Sequence, residues 1–252
     1  MMITPKLQDI KHKNQLLRLL RAILKNELLA NCLQFKGGTY AALRGVLDRF
    51  SVDLDFDLPT DKHDLPNQAK KNAIRQKCYQ IFDQLQLSVK DESSSHLQFF
   101  LQYTAKSNER NTLKLEVNDQ PSSHNQYEKV RLRELNMYCQ GHTLETMFAN
   151  KLVAATARFD KTRKIAGRDF YDLHQFFLQG LAINQAVVED KTGLNLTDYL
   201  QKLIGFINQK LTQKSLNQDL NPLLPPEQIR QILPVLKPEL LVFIQDEIKR
   251  QN

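Results

Sequence analysis

The chain has 252 residues, enough for one large domain or two modest ones, and 41% of them are hydrophobic, enough for a buried core. It carries 35 Lys and Arg against 28 Asp and Glu, a formal charge of +7 that leans toward a polyanionic partner. No apolar run approaches the roughly 18 residues of a membrane span, no signal-peptide core stands among the arginines near Leu16 to Leu20, and Cys32, Cys78 and Cys139 lie too far apart for a C-x-x-C frame, so a cytoplasmic protein with no membrane partner is expected.

Residues 7–31 predict an amphipathic helix, with leucines at 7, 16, 17, 20, 24 and 28. A short strand at 33–36 leads into Gly37-Gly38 and a helix over 39–47. A strand at 51–58 follows, and then Pro59 and Pro66 bracket a polar loop. A helix over 67–87 turns Ala73, Ile74, Cys78, Ile81, Phe82 and Leu85 inward. Strands at 96–103 and 111–117 are joined by a polar hairpin, and 127–135 reads as a further strand or an edge. From Thr143, which suits an N-cap, the pattern is helical almost throughout. Asn221 to Pro226 interrupts it, and a last helix spans 239–250. This order predicts an α/β domain over 1–140 and an all-α domain over 141–252.

Polar and apolar residues alternate from Ser51 to Leu58. On a strand, Ser51, Asp53, Asp55 and Asp57 share one face, and Val52, Leu54, Phe56 and Leu58 the other. Aspartate is a poor strand former, and three in alternation repel one another. Mg²⁺ takes carboxylate and phosphate oxygens together and is the expected remedy. The plainer alternative is a charged face that guards a sheet edge. Just upstream, Lys36-Gly37-Gly38-Thr39 forms a turn whose backbone can approach a phosphate closely. A glycine turn followed by an acidic strand suits nucleotidyl transfer.

Further along, Lys114, Glu116 and Asn118 share one face of a strand. If that strand lies beside the acidic one, Glu116 joins Asp53 and Asp55 as a metal ligand; otherwise it is an ordinary exposed acid. Lys151 sits on the apolar stripe of Leu144, Met147, Phe148, Leu152 and Ala155, where it either snorkels or aims at a triphosphate or carboxylate. Asp169 and Asp172 are one helical turn apart; Asp169 can serve a helix N-terminus, and Asp172 is harder to explain that way. Arg168 reaches phosphate or pairs with an acid. Basic residues concentrate at Lys106 to Lys114 and at Arg158, Lys161, Arg163, Lys164 and Arg168.

Four segments, in order over residues 36–173, carry a resemblance: Lys36 to Thr39, Arg49 to Phe56, Ala149 to Ala154 around Lys151, and Arg168 to Leu173. Together they resemble the AbiE-type (AbiEii) nucleotidyltransferase toxins of type IV toxin–antitoxin and abortive-infection systems, which act in phage defence. The resemblance implies an α+β nucleotidyltransferase fold of DNA-polymerase-β type, with a helical C-terminal domain that completes the active site. It implies Mg²⁺-dependent transfer of NMP from an NTP to RNA, the tRNA 3′ end above all, which blocks translation and growth. Asp53, Asp55, Lys151 and Asp172 are then catalytic, with Asp53 and Asp55 on the metal. Lys36, Gly37, Gly38, Thr39, Arg49, Ser51, Arg168 and Asp169 bind the nucleotide. A cognate antitoxin is implied, and in some relatives it phosphorylates the hydroxyl at the Ser51 position, adding charge beside Asp53 and Asp55. The 14 residues between Gly38 and Asp53 are a long spacing for the wider superfamily, and Asp57 reads as a peripheral extra acid. The alternatives are an inactive module that binds NTP or RNA, and an enzyme that nucleotidylates a protein or a small molecule.

Overall fold

Leu16, Leu19, Leu20 and Ile23 recur at helical spacing and form the buried stripe of α1 (Gln8–Lys25). The single helix expected over 7–31 is in fact two. Asn26 accepts a hydrogen bond from the Leu29 backbone N–H at 3.1 Å and so starts α2 (Glu27–Cys32). A computed structural model describes residues 6, 8–59, 68–106 and 109–251. Leu7, the loop residues 60–66 and position 67 of an expected helix lie outside the described residues.

The chain divides into two compact units, Met1–His142 and Thr143–Asn252. The first holds a seven-stranded mixed sheet: β1 (Gln34–Lys36), β2 (Asp53–Asp57), β3 (Ser88–Glu92), β4 (Leu97–Gln102), β5 (Thr112–Asn118), β6 (Tyr127–Leu132) and β7 (Met137–His142). The spatial order is β3-β4-β5-β2-β1-β7-β6. The acidic strand β2 is thus central, antiparallel to β1 and parallel to β5. Two strands lay hidden in the sequence. β3 is exposed at every residue and carries no alternating apolar set, and β7 places Gln140 and Gly141 before its final His142 with no apolar rhythm. The strand expected over 127–135 stops at Leu132, and residues 133–136 are the turn into β7.

One face of β2 buries Leu54 and Phe56, with Leu58 just beyond, all fully. Leu113, Leu115 and Val117 of β5 and Leu97, Phe99 and Leu101 of β4 continue this apolar layer. Phe35 of β1 stacks on Phe56 with centroids 4.9 Å apart. α3 (Gly37–Leu43) follows β1 without a linker, starting two residues earlier than its pattern suggested. α4 (Gln68–Gln84) turns Ile74, Cys78, Ile81 and Phe82 inward.

Every described helix or strand of the second unit is a helix: α5 (Leu144–Thr162), α6 (Gly167–Leu178), α7 (Gln185–Thr192), α8 (Leu196–Lys210), α9 (Gln213–Leu220), α10 (Pro226–Ile232) and α11 (Leu236–Gln251). Thr143 caps α5 by accepting from the Thr146 N–H. Pro225 and Pro226 separate α9 from α10, with Pro226 opening α10, where its missing N–H costs nothing.

Candidate active site

The Gly37-Gly38 turn is built against the acidic strand, with side chains of that strand and its approach close on both glycines. Gly37 has φ +79°, a left-handed conformation, and a β-carbon there would strike the Asp55 carboxylate. A β-carbon on Gly38 would stand 2.7 Å from the Arg49 guanidinium and 3.0 Å from Ser51 Oγ. Thr39 is fully buried; its hydroxyl donates to the Asp53 carbonyl at 2.5 Å and lies 2.9 Å from Ser51 Oγ. Thr39 therefore fixes the turn to the strand and keeps no surface for a nucleotide, a correction to its expected contact role. Arg49 is buried and donates to the Phe50 carbonyl at 3.0 Å. The 14 residues between Gly38 and Asp53 are the remainder of α3 and the segment that carries Arg49 and Ser51 back beneath it.

Asp53 and Asp55 are partly accessible and lie on the strand face next to this turn. Burial, then the charge of Asp53, pushes the Asp55 carboxyl up to about 6; Glu116 adds to this, and Lys36 opposes it. Asp55 is surrounded by protein yet open at one edge, and the charges of Asp53 and Glu116 on it are opposed by those of Lys36 and Lys114. The parallel register pairs Asp55 with Glu116 and Asp53 with Lys114, so Glu116 is the lateral neighbour the sequence suggested. Its carboxylate, however, is ion-paired with Lys114. Burial alone would raise its pKa, but the Lys114 hydrogen bond and charge bring it below the usual range. Among the described residues no three His, Cys, Asp or Glu side chains converge as a metal cage. Asp53 and Asp55 fit a Mg²⁺ ion that fills its shell with water and substrate phosphate, the usual mode for this ion, while Glu116 as it stands serves Lys114.

Asp57 is not peripheral. It is fully buried, and Lys36 Nζ reaches it at 2.5 Å. His142 Nε2 lies 2.8 Å away, Asn125 donates at 2.9 Å, and Asn118 and the Tyr127 hydroxyl each donate at 3.1 Å. Burial alone would raise this carboxyl, but the His142 hydrogen bond and the Lys36 charge outweigh it and hold Asp57 far below the usual range. The expected phosphate ligand Lys36 is thus spoken for by Asp57, and its position at the head of the glycine turn is fixed. Asn118 was visible on the polar face of its strand; His142 was not, because β7 has no sequence signal.

In the helical unit, Lys151 Nζ stands 2.9 Å from Asp169 and 2.9 Å from Asp172. Both acids are buried, and Arg158 adds a contact to Asp169 at 3.2 Å. Burial works to raise Asp169, but the charges of Lys151 and Arg158 win and lower it. Lys151 therefore belongs to both acids equally, and neither Asp169 nor Asp172 lies open to a nucleotide. Arg168 is half-exposed and makes no ion pair among the described residues.

No curated protein matches the chain. Among solved structures, JHP933 from Helicobacter pylori is similar, with TM-score 0.57, 21% identity, and 98% of this chain and 96% of that one covered. A candidate nucleotidyltransferase from Helicobacter pylori gives TM-score 0.56 at 20% identity over 98% and 99% of the two chains. The MenT4 nucleotidyltransferase toxin of Mycobacterium tuberculosis is a more distant likeness, with TM-score 0.47 at 18% identity over 97% and 86%. The family model described as nucleotidyl transferase AbiEii toxin of type IV toxin–antitoxin systems matches residues 18–237. That match spans the glycine turn, the acidic strand and the Lys151 cluster, and the chain belongs to the AbiEii nucleotidyltransferase toxin family.

Proposed function

We propose that this chain is a Mg²⁺-dependent nucleotidyltransferase of DNA-polymerase-β type that moves NMP from an NTP to an RNA acceptor, with the tRNA 3′ end as the target and a cognate antitoxin as its partner. The single observation that carries the reading is Asp55, an open-edged carboxylate beside Asp53 and under the Gly37-Gly38 turn. Such a site is unfavourable empty and favourable with a cation and a triphosphate in it. Mg²⁺ held by Asp53 and Asp55 would supply charge neutralisation at the phosphates. The partly accessible glycine backbone lets the triphosphate approach, and Arg49 and Ser51 form the wall behind it. The acceptor hydroxyl attacks the α-phosphorus, a new P–O bond forms, the α–β bridge breaks, and pyrophosphate leaves. Positioning and charge carry such a reaction, not covalent chemistry by the protein. In the helical unit, Lys151 orients Asp169 and Asp172.

The test is labelling of total tRNA with each α-labelled NTP in turn, with and without Mg²⁺. Label in RNA that needs Mg²⁺ and vanishes in Asp53→Ala is the expected result. Label in protein but not RNA would overturn the acceptor assignment. An Asp53→Ala chain that still labels RNA or still arrests growth would overturn the metal assignment.

A further inference from the structure

Two lysines flank the acidic strand, one on each side, and they are held very differently. On the β1 side, Lys36 stands opposite Asp55 and is committed to Asp57. That acid is fully buried and tied as well to His142, Asn118, Asn125 and Tyr127. The Lys36–Asp57 pair therefore cannot open without stranding a charge in the interior. On the β5 side, Lys114 stands opposite Asp53 and pairs with Glu116, which stands opposite Asp55. Here the side chains are 28% and 41% exposed, against 22% and 0% for Lys36 and Asp57. A pair so open to water contributes little, because solvent takes over each charge when the pair parts. One lysine is fixed, and the other can leave.

The plainest account of Lys114 is a surface cation that neutralises its neighbour two residues on. That accounts for Glu116 but not for where Lys114 stands. Partners across a parallel pair of strands point to the same side of the sheet, so Lys114 and Glu116 share a face with Asp53 and Asp55. On Asp55, burial and the charges of Asp53 and Glu116 are opposed by Lys36 and Lys114. With Lys36 tied to Asp57, Lys114 is the loosely held cation of this face, and it keeps Glu116 turned to itself. An ammonium in that place is repelled by any divalent ion that the two aspartates take up.

We propose that Lys114 is the resident counter-ion of the acidic strand: it occupies Glu116 in the empty site and yields that carboxylate when Mg²⁺ binds at Asp53 and Asp55. This rests on the metal assignment above and adds a residue that sets how readily the metal enters. The test is metal binding, not turnover: calorimetric titration of the EDTA-treated full chain with Mg²⁺ near neutral pH. Wild type, Lys114→Met, Glu116→Gln and the double variant are compared, and melting in EDTA reports that each folds. Lys114→Met should bind Mg²⁺ about fivefold tighter or better, since it removes one like charge from a partly solvated site. Glu116→Gln should weaken Mg²⁺ by a larger factor on the Lys114→Met background than on wild type, where the carboxylate must first leave Lys114. Were Glu116 only a screen for Lys114, its loss would bare the ammonium and cost more on the wild-type background; that order overturns the proposal. A Lys114→Met chain that binds Mg²⁺ as wild type does but loses a fluorescent ATP analogue makes Lys114 a phosphate ligand and overturns it too. If wild type binds Mg²⁺ and Lys114→Met gains nothing, this proposal falls and the metal assignment survives. If wild type binds no Mg²⁺, both fall.

Discussion

Asp55→Asn should make the protein more stable while it abolishes nucleotide transfer. The Asp55 carboxyl stands at about 6 against an ordinary 3.8. A gap of that size amounts to about 3 kcal/mol of penalty once the group is ionised. The folded chain binds this proton more tightly than the unfolded chain does. Stability therefore falls as pH rises through the window from 3.8 to about 6, with the penalty absent below it and complete above it. Asp55 retains an edge open to water, so about 1–2 kcal/mol is the realistic share. For a chain of this size that is a melting temperature about 2–8 °C higher for Asp55→Asn, measured near neutral pH in EDTA. At about pH 4 the two proteins should melt together. Mg²⁺ should raise the wild-type midpoint near neutral pH and leave the variant's unchanged. A variant that melts lower than wild type near neutral pH, or a difference that ignores pH, would refute the reading of Asp55 as a strained metal-site carboxylate.

Asp57→Ala strands Lys36, His142, Asn118, Asn125 and Tyr127 around a vacated centre. It should cost about 3–5 kcal/mol in urea unfolding, and Asp57→Asn less, because an amide keeps part of the hydrogen bonding. Gly37→Ala must hold alanine at a left-handed φ and push Asp55 aside. Its expected signature is a loss of about 1 kcal/mol in stability with a disproportionate loss of transfer. An alanine variant that transfers nucleotide at the wild-type rate would remove the turn from the site. Lys151→Met leaves Asp169 and Asp172 buried without their shared cation. It should destabilise by about 3–5 kcal/mol in thermal unfolding, and adding Asp169→Asn and Asp172→Asn should recover part of that.

The sequence was most informative where period and chemistry coincide. Alternation from Ser51 to Leu58 placed Leu54, Phe56 and Leu58 in the core and the acids opposite, and the sheet agrees. Glycines at 37 and 38 spoke for a close backbone approach, and the partners they approach are Asp55, Arg49 and Ser51. What period cannot carry is who stands across the sheet. Asp57 has the same local pattern as Asp53 and Asp55, yet it is fully buried, because β1 and β7 bring Lys36 and His142 over it. β3 was invisible for a physical reason: as a fully exposed edge strand it has no buried face to impose alternation. The break at Asn26 was readable as a cap residue but was outweighed by leucines on either side, of which Leu17, Leu24 and Leu28 are only half-buried. Lys151 stood out as a cation on an apolar stripe; that it answers to two acids at once required the packing of α5 on α6.

The sheet's topology also sets when the glycine turn and the acidic strand can first be held together. The glycine turn and the acidic strand are close in sequence, but their supporting neighbours are not: Asp55 pairs with Glu116, and Phe35 with Gly141. Both of those pairings are parallel and non-local, the kind that forms late because a long loop must close first. During synthesis β2 has β1 beside it and little else until β5 emerges, and the His142 that anchors Asp57 is the last residue of the unit to be made. A chain released early, before β7, lacks the scaffold that aligns turn and acids.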